Sequence, residues 1–140
     1  MNELIVSKAL WSEDSEALVK LRTEVFVDEQ QVPSEIEVDG KDADCEHVKA
    51  VLHGKFVGTG RLLPSGFIGR MCVLRQFRGQ GIGTIMLHKL IELARQEKYS
   101  QVQLNSQTNA IAFYQNNGFV VDSDEFLEAG IRHRRMTLKT

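Results

Sequence analysis

The chain contains few of the residues that mark specialised classes of protein. Among its 140 residues are two cysteines, two prolines and one tryptophan. Cys45 and Cys72 have neither a CxxC spacing nor a neighbouring histidine pattern, so the sequence predicts no metal site and two free thiols. No apolar run approaches the roughly 18 residues of a membrane span, and residues 1–11 lack the pattern of a secretory signal. We therefore expect a cytoplasmic protein without a membrane partner.

A surplus of one charge sign is missing as well. The 17 basic and 19 acidic residues give a net charge of −2, which lacks the positive surplus of a nucleic-acid binder. The hydrophobic fraction of 42% excludes intrinsic disorder, and the length predicts one domain over residues 1–140. The charge is unevenly distributed, because residues 24–46 hold nine acids and one base, a local charge of −8. The remainder carries +6.

The hydrophobic pattern predicts a mixed α/β fold. Its sheet is expected to be twisted and mostly antiparallel, with about six to seven strands and flanking helices. The predicted strands span residues 4–10, 47–52, 56–63, 67–74, 101–105, 119–121 and 131–138. The predicted helices span residues 14–27, 82–98 and 109–116, and most of the acidic segment is expected to be a loop. The three strands between residues 47 and 74 are predicted to form an antiparallel meander.

A glycine-rich turn, residues 78–84 (RGQGIGT), stands between a predicted strand and the clearest predicted helix. The first turn of a helix offers unpaired backbone N–H groups and a positive dipole end, and glycines let an anion approach them. A P-loop would need a lysine after its last glycine, and a dinucleotide fold would need a different glycine spacing and an acid after the next strand. A phosphate or pyrophosphate site is therefore predicted, and a tight turn without ligand remains the alternative.

Two motifs of the chain resemble those of the GNAT acyltransferase superfamily. Residues 78–84 resemble its acyl-CoA signature, and residues 109–119, which contain Phe113-Tyr114 and end in Gly118-Phe119, resemble a later motif of the family. The two motifs occur in the family's order, separated by one predicted helix and one strand, and the resemblance covers most of the chain. Residues 22–33 and 130–133 also resemble a bacterial branch of small proteins within this superfamily.

The resemblance implies how the donor, acetyl-CoA, would be bound. In the family two strands splay apart, and the pantetheine arm pairs with the exposed backbone as an added strand would. A backbone N–H in this splay can stabilise the negative charge that develops on the thioester carbonyl. The residues implied for the pyrophosphate are Arg78, Gly79, Gln80, Gly81, Ile82, Gly83 and Thr84. Those implied for the arm are Met71, Cys72, Val73, Asn105 and Asn109, and Asn109 is also expected to cap its helix.

The same resemblance implies direct acetyl transfer to an amine, with Tyr114 as the acid that protonates the departing thiolate. Arg70 stands on the strand where many family members carry a glutamate, so the base is open. The candidates are Glu24, Glu46, His47 and His133, with His47 preferred because imidazole titrates near neutral pH. Cys72 is not expected to be a nucleophile, because no histidine pairs with it in the sequence.

The acidic segment predicts a cationic acceptor, since family members build one wall of the acceptor site from the region after the first helix. A small-molecule amine, a lysine or a protein N-terminus would fit, and a solvated acidic loop is the alternative reading. A non-catalytic acyl-CoA sensor or assembly module is the alternative function. Family members are often homodimers, but the sequence indicates no interface.

Overall fold

The computed structural model describes residues 3–140, which form a mixed α/β fold with two sheets. The strands are β1 (Leu4–Ala9), β2 (Glu46–Leu52), β3 (Lys55–Leu62), β4 (Ile68–Val73), β5 (Gln101–Gln107), β6 (Val120–Val121), β7 (Phe126–Glu128) and β8 (Ile131–Lys139). The helices are α1 (Trp11–Arg22), α2 (Ser34–Glu37), α3 (Ile82–Gln96) and α4 (Ile111–Asn116). No helix within residues 3–140 has the length and apolar character needed to cross a membrane.

The first sheet has the strand order β1-β2-β3-β4, with antiparallel pairing throughout, so the predicted meander is confirmed. Its central hairpin turns at His53-Gly54, where both residues have positive φ angles, 50° and 79°. This primed turn matches the right-handed twist of the paired strands. Between Thr59 and Arg61 the register shifts, because β4 carries one extra residue there.

The second sheet is centred on β8, which pairs with β5 on one side and with β6 and β7 on the other. β7 and β8 form a hairpin through Ala129-Gly130, both with positive φ. The sequence analysis did not predict β7, because a strand of three residues is too short to show alternation. The described residues therefore form eight strands rather than six to seven.

The two sheets meet at one point among the described residues. Phe67, just before β4, forms an isolated parallel bridge with Gln103 of β5. The Gln103 N–H also donates a hydrogen bond to the Gly66 carbonyl, 3.1 Å away. Beyond this bridge the rest of β4 and β5 does not pair, which confirms the splay that the family resemblance implied.

Helix α3 supplies much of the hydrophobic core. Met86, Leu87 and Leu90 are fully buried on the face that covers the sheets. A β-carbon on Gly58 of β3 would lie 2.9 Å from Met86 Sδ, and one on Gly60 would lie 3.0 Å from Leu90 Cδ1. Glycines at these two positions therefore let α3 approach β3 closely.

The first helix differs in extent from the predicted 14–27. It begins at Trp11, and the Asp14 carboxylate accepts a hydrogen bond from the Leu10 N–H, 3.0 Å away. After α1 the backbone continues as a wider π-helical stretch, Thr23–Glu29. Side chains that follow this stretch, such as Gln30, reach the space between the two sheets.

Candidate active site

A cleft of about 600 Å³ lies where β4 and β5 separate. Met71 lines it from β4, Asn105 from β5 and Tyr114 from α4. Because β4 and β5 are parallel neighbours that pair only at their beginnings, their facing edges are left open for another extended chain. The structure therefore brings together Met71, Asn105 and Tyr114, three residues that the sequence assigned to acetyl-CoA binding and catalysis.

The glycine turn follows β4 after one 3₁₀ turn and opens α3. Gly79 and Gly81 have φ angles of 79° and 85°, which glycine adopts at the least cost, and a β-carbon on either would meet no atom within 4 Å. The first N–H after Gly81 for which the described residues show a backbone acceptor is that of Ile85, which donates to the Gly81 carbonyl at 3.2 Å. The turn therefore presents free N–H groups beside open space, as an anion site requires.

Arg78 is held at the entrance of this turn. Its Nε donates to the Val73 carbonyl, and its two terminal nitrogens donate to the two Glu29 oxygens, all at 2.8 Å. The hydrogen bond from Arg78 holds the pKa of Glu29 below its usual range. The positive charge assigned to the pyrophosphate is therefore compensated by Glu29, a residue that the sequence analysis gave no role.

The β4 edge carries a bulge at the cleft. Arg70 has a left-handed φ of 52° at the extra residue of β4, a conformation that a side chain other than glycine rarely adopts. Further along, the Leu74 N–H donates to the Val57 carbonyl of β3 at 2.9 Å. Because successive residues of a strand direct their backbone groups to opposite sides, Val73 directs its own towards β5.

Cys72 lies on β4 between Met71 and Val73 and is buried among apolar side chains. Burial raises the pKa of its thiol to about 12, so the thiol is protonated at neutral pH. A protonated thiol is a poor nucleophile. The geometry thus agrees with the expectation that Cys72 does not form a covalent intermediate.

Tyr114 reaches the cleft from α4. Its ring makes edge-to-face contacts with Phe113 and Phe119, at centroid distances of 5.0 and 5.7 Å. Burial raises the pKa of its phenol to about 12. Its hydroxyl has no hydrogen-bond partner among residues 3–140, so the proton is available to a ligand in the cleft.

The wall of the cleft formed by β5, β7 and β8 is polar. The Asn105 amide donates to one oxygen of Glu128 at 2.9 Å, and the other oxygen of Glu128 lies 3.8 Å from His133 Nε2. His133 Nδ1 lies 2.7 Å from the Ile131 carbonyl, so it carries the hydrogen and donates it. The sequence analysis did not identify Glu128 because it did not predict β7, although Gly130 before β8 is a turn residue that could have indicated a hairpin.

Two predicted catalytic residues lie outside the cleft. His47 is buried, stacks on Trp11 and donates from Nε2 to the Asp42 carbonyl at 2.8 Å. Burial lowers the pKa of its imidazole. Glu46 pairs with Lys8 at 2.9 Å.

Asn109 was predicted to contact the pantetheine arm and to cap α4. It is not the cap, because Ala110 occupies the N-cap position and no side chain caps the helix.

The acidic segment forms a network of ion pairs that we name the charge cluster. Its members are Arg22, Glu37, Asp39, Asp42, Arg61 and Arg70. Arg22 is 1% exposed and binds the carboxylates of both Glu37 and Asp42. Arg61 joins Asp42, at 2.9 Å, to Asp39. Three of the nine acids in the segment that sequence analysis assigned to a cationic acceptor are thus neutralised by arginines from α1, β3 and β4.

Hydrogen bonds from arginines favour the ionised form of two carboxylates of the cluster, Asp39 and Asp42. Desolvation alone would raise the pKa of Asp42, but the hydrogen bonds from Arg22 and Arg61 hold it below its usual value. The hydrogen bond from Arg61 likewise lowers the pKa of Asp39. Arg70 extends the cluster to the cleft, because it donates to the Glu37 carbonyl at 3.0 Å. The cluster therefore fixes the α2 wall of the cleft.

No group of three or more His, Cys, Asp and Glu side chains within residues 3–140 is arranged to hold a metal ion. The candidate chemistry rests instead on an open strand edge, a glycine turn, a protonated phenol and a histidine–carboxylate pair.

The chain is similar to known proteins in both sequence and structure. Residues 10–140 match the family model described as an acetyltransferase (GNAT) domain. The chain is 40% identical over 120 residues to an uncharacterised N-acetyltransferase of Bacillus subtilis, YjcF, covering 83% of this chain and 86% of YjcF. It is similar to the structure of an acyl-CoA N-acyltransferase from Pseudomonas aeruginosa, with 32% identity, a TM-score of 0.84 and coverage of 98% and 99% of the two chains. Escherichia coli ElaA has 29% identity and a TM-score of 0.86, with coverage of 95% and 98%.

Proposed function

Since the chain belongs to the GNAT acetyltransferase family and is therefore an acyltransferase, we propose that it transfers an acetyl group from acetyl-CoA to a primary amine. The amine would attack the thioester directly in a ternary complex. The observation that carries this proposal is the open edge between β4 and β5, which begins at a single bridge and is lined by Tyr114.

Acetyl-CoA would bind along this edge. The amide groups of its pantetheine arm can pair with the backbone of Val73 as an added strand does, next to Met71 and Cys72 and across the cleft from Asn105. The pyrophosphate would occupy the open space beside Gly79 and Gly81, bound by the N–H groups of residues 79–84. Arg78 would add a positive charge there, once it is shared between the ligand and Glu29.

Tyr114 is proposed as the acid. Its phenol is protonated at neutral pH, since its pKa is raised to about 12, and its hydroxyl is free to donate. A thiolate whose parent thiol has a pKa of about 8.5 takes this proton in an uphill step. The proposal therefore requires the hydroxyl to lie within hydrogen-bond distance of the sulfur in the ternary complex.

The base is not assigned to His47 or Glu46 in this proposal. His47 Nε2 is already engaged by the Asp42 carbonyl, and Glu46 pairs with Lys8. The amine acceptor remains a small molecule, a lysine or an N-terminus. Its attraction by Glu37 and Asp39 has little support, because both carboxylates already bind arginines.

The experiment measures free thiol release from acetyl-CoA with a panel of amines, and CoA affinity by calorimetry. Tyr114→Phe is expected to slow thiol release about 100-fold while CoA affinity changes less than twofold, because general acid catalysis contributes about that much. Tyr99→Phe is the matched control, since Tyr99 packs against the core and does not line the cleft.

Three outcomes would count against the proposal. Binding of CoA without thiol release for any amine would favour the alternative, a non-catalytic acyl-CoA sensor or assembly module. Absence of CoA binding would contradict both functions. A Tyr114→Phe variant that loses CoA binding would make the tyrosine structural.

A further inference from the structure

The β7–β8 hairpin brings a histidine and a carboxylate into the cleft that the proposed function has not yet used. His133 and Glu128 both line the cleft; Glu128 directly precedes the Ala129-Gly130 turn, and His133 lies three residues after it. His133 Nε2 and Glu128 Oε2 are 3.8 Å apart. This separation is too long for a direct hydrogen bond, so neither atom satisfies the other.

The hydrogen bonds of the hairpin determine which nitrogen of His133 is available. A carbonyl oxygen only accepts, so Nδ1, at 2.7 Å from the Ile131 carbonyl, carries the hydrogen in the neutral ring. The lone pair of the neutral imidazole is therefore on Nε2. Proton uptake at Nε2 would leave the Nδ1 hydrogen bond intact.

The pair is held in place by three strands. The His133 ring stacks on Phe126 of β7 at a centroid distance of 6.0 Å, and His133 pairs with Gln107 of β5 across the sheet. Asn105, also on β5, orients Glu128 through the 2.9 Å hydrogen bond to its other oxygen. Such support is what a catalytic pair needs to keep its geometry.

The other histidines do not offer this arrangement. His47 is engaged by a carbonyl outside the cleft, and His53 lies in the β2–β3 turn. His88 contacts Asn117 on the outer side of α3. Of the carboxylates that line the cleft, Glu37 and Asp39 bind arginines, which leaves Glu128 on the opposite wall.

We propose that His133 is the catalytic base of the acyl transfer and that Glu128 holds the acceptor nitrogen against it; this proposal rests on the proposed function. For an acceptor nitrogen about 2.8 Å from both His133 Nε2 and Glu128 Oε2, the angle Nε2···N···Oε2 is about 85°. Both N–H bonds can then point to within about 15° of a straight hydrogen bond. An ammonium group can therefore contact both atoms at once.

In the proposed reaction each proton has a named donor and acceptor. His133 Nε2 removes one proton from the ammonium group, and the freed electron pair forms the C–N bond to the acetyl carbon. The C–S bond breaks, its electron pair goes to sulfur, and the sulfur takes the Tyr114 proton. The second proton of the attacking nitrogen restores the tyrosine, and the imidazolium of His133 releases its proton to solvent.

The charges around His133 come from several elements. Glu128 faces it from β7, with Oε2 3.8 Å from Nε2. From the other sheet and the acidic segment, Arg61, Arg70 and Lys41 line the same cleft, and the two arginines are paired with carboxylates of the charge cluster. From β5, the residues that line the cleft beside His133 are uncharged, namely Leu104, Asn105, Ser106 and Gln107.

The test compares alkylamines, which are protonated at pH 7, with weakly basic amines of similar shape, such as benzylamine with aniline. His133→Gln should lower thiol release about 100-fold for the alkylamines, with a loss at least about tenfold smaller for the weakly basic ones, because these need no deprotonation before attack. A structural role would lower both equally. His88→Gln is the matched control, and unchanged CoA affinity shows that the fold is intact.

A second variant keeps the test decisive if His133→Gln fails to fold. Glu128, whose side chain is 49% exposed, should tolerate Glu128→Gln. That variant should raise KM for the protonated alkylamines about tenfold and leave KM for the weakly basic amines nearly unchanged, because an amide binds an ammonium group less strongly than a carboxylate does. An unchanged KM for the alkylamines, equal losses for both amine classes, or a larger loss in kcat/KM in Glu128→Gln than in His133→Gln would overturn the proposal while leaving the proposed function standing. A wild-type protein that binds CoA but releases no thiol with any amine would end both.

Discussion

The glycine turn, which follows β4, and the charge cluster, which lines the cleft, are built in opposite ways. The turn, residues 78–84, uses backbone groups that are neighbours in the chain, and its open N–H groups are left for a ligand. The charge cluster uses side chains 15 to 33 residues apart, which pair with one another, although the buried Arg61 Nε has no hydrogen-bond partner among residues 3–140. The turn therefore leaves its donors for a ligand, whereas the cluster pairs its charges within the protein.

This difference shows what charged residues contribute at each place. In the charge cluster, six ionised groups are neutralised inside the protein, so they position the α2 wall rather than attract a substrate from a distance. At the turn, the one arginine is bridged to Glu29 by an exposed ion pair that a ligand can replace. The ion pair between Glu29 and Arg78 also links the helical segment after α1 to the glycine turn.

The largest effect is expected when the charge cluster loses its buried centre. Arg22→Met leaves Glu37 and Asp42 buried without their main partner, and the free energy of unfolding should fall by about 3–5 kcal/mol. Arg135→Met, which breaks an exposed pair with Asp122, should cost less than about 1 kcal/mol. Urea unfolding measures both variants, and similar losses would show that the cluster is not structural.

An intermediate effect is expected at the glycine turn, where a substitution should lower CoA affinity as well as stability. Gly81→Ala places a side chain at a φ of 85° and should cost about 1–2 kcal/mol of stability. Gly54→Ala, at a φ of 79° in the β2–β3 hairpin, should cost the same, because neither added β-carbon meets an atom within 4 Å. In calorimetry, CoA affinity should fall at least about tenfold for Gly81→Ala and not for Gly54→Ala. Equal affinities in the two variants would remove the turn from the binding site.

The smallest effect is expected at the ion pair between Glu29 and Arg78. Glu29→Gln frees Arg78 from its carboxylate and should raise CoA affinity by about two- to fivefold, the range of an exposed ion pair. Glu125→Gln, which removes the exposed partner of Arg132, should leave the affinity unchanged. A fall in affinity would mean that Glu29 positions Arg78 for the ligand instead of competing with it.

The parts of the site that could be predicted from sequence are those that depend on neighbours in the chain. The start of α3 at Ile82, a tight glycine turn before it and the meander of β2, β3 and β4 follow from local backbone chemistry, and the structure contains all three. β7 was not predicted, because a strand of three residues is too short to show an alternation of polar and apolar residues. Glu128 was missed with it, although it lies in the cleft beside His133.

The preference for His47 illustrates the other limit. Its position at the start of a strand and its titration range were visible in the sequence, but its burial against Trp11 and its bond to the Asp42 carbonyl were not. His133, which the sequence analysis ranked below His47, reaches the cleft only because β8 pairs with both β5 and β7. Strand pairing across long separations decides such placements, and no local pattern reports it.

The sequence by itself determined the mixed α/β fold, the glycine turn and the family, because turns, helix starts and motif spacing are short-range properties. Only the tertiary structure decided where the charges go. A segment of −8 looked like a surface for cations, yet Arg22, Arg61 and Arg70 reach it from three separate elements and neutralise its centre. Ion pairs depend on distances between atoms far apart in the chain, and those distances exist only once the sheets have formed.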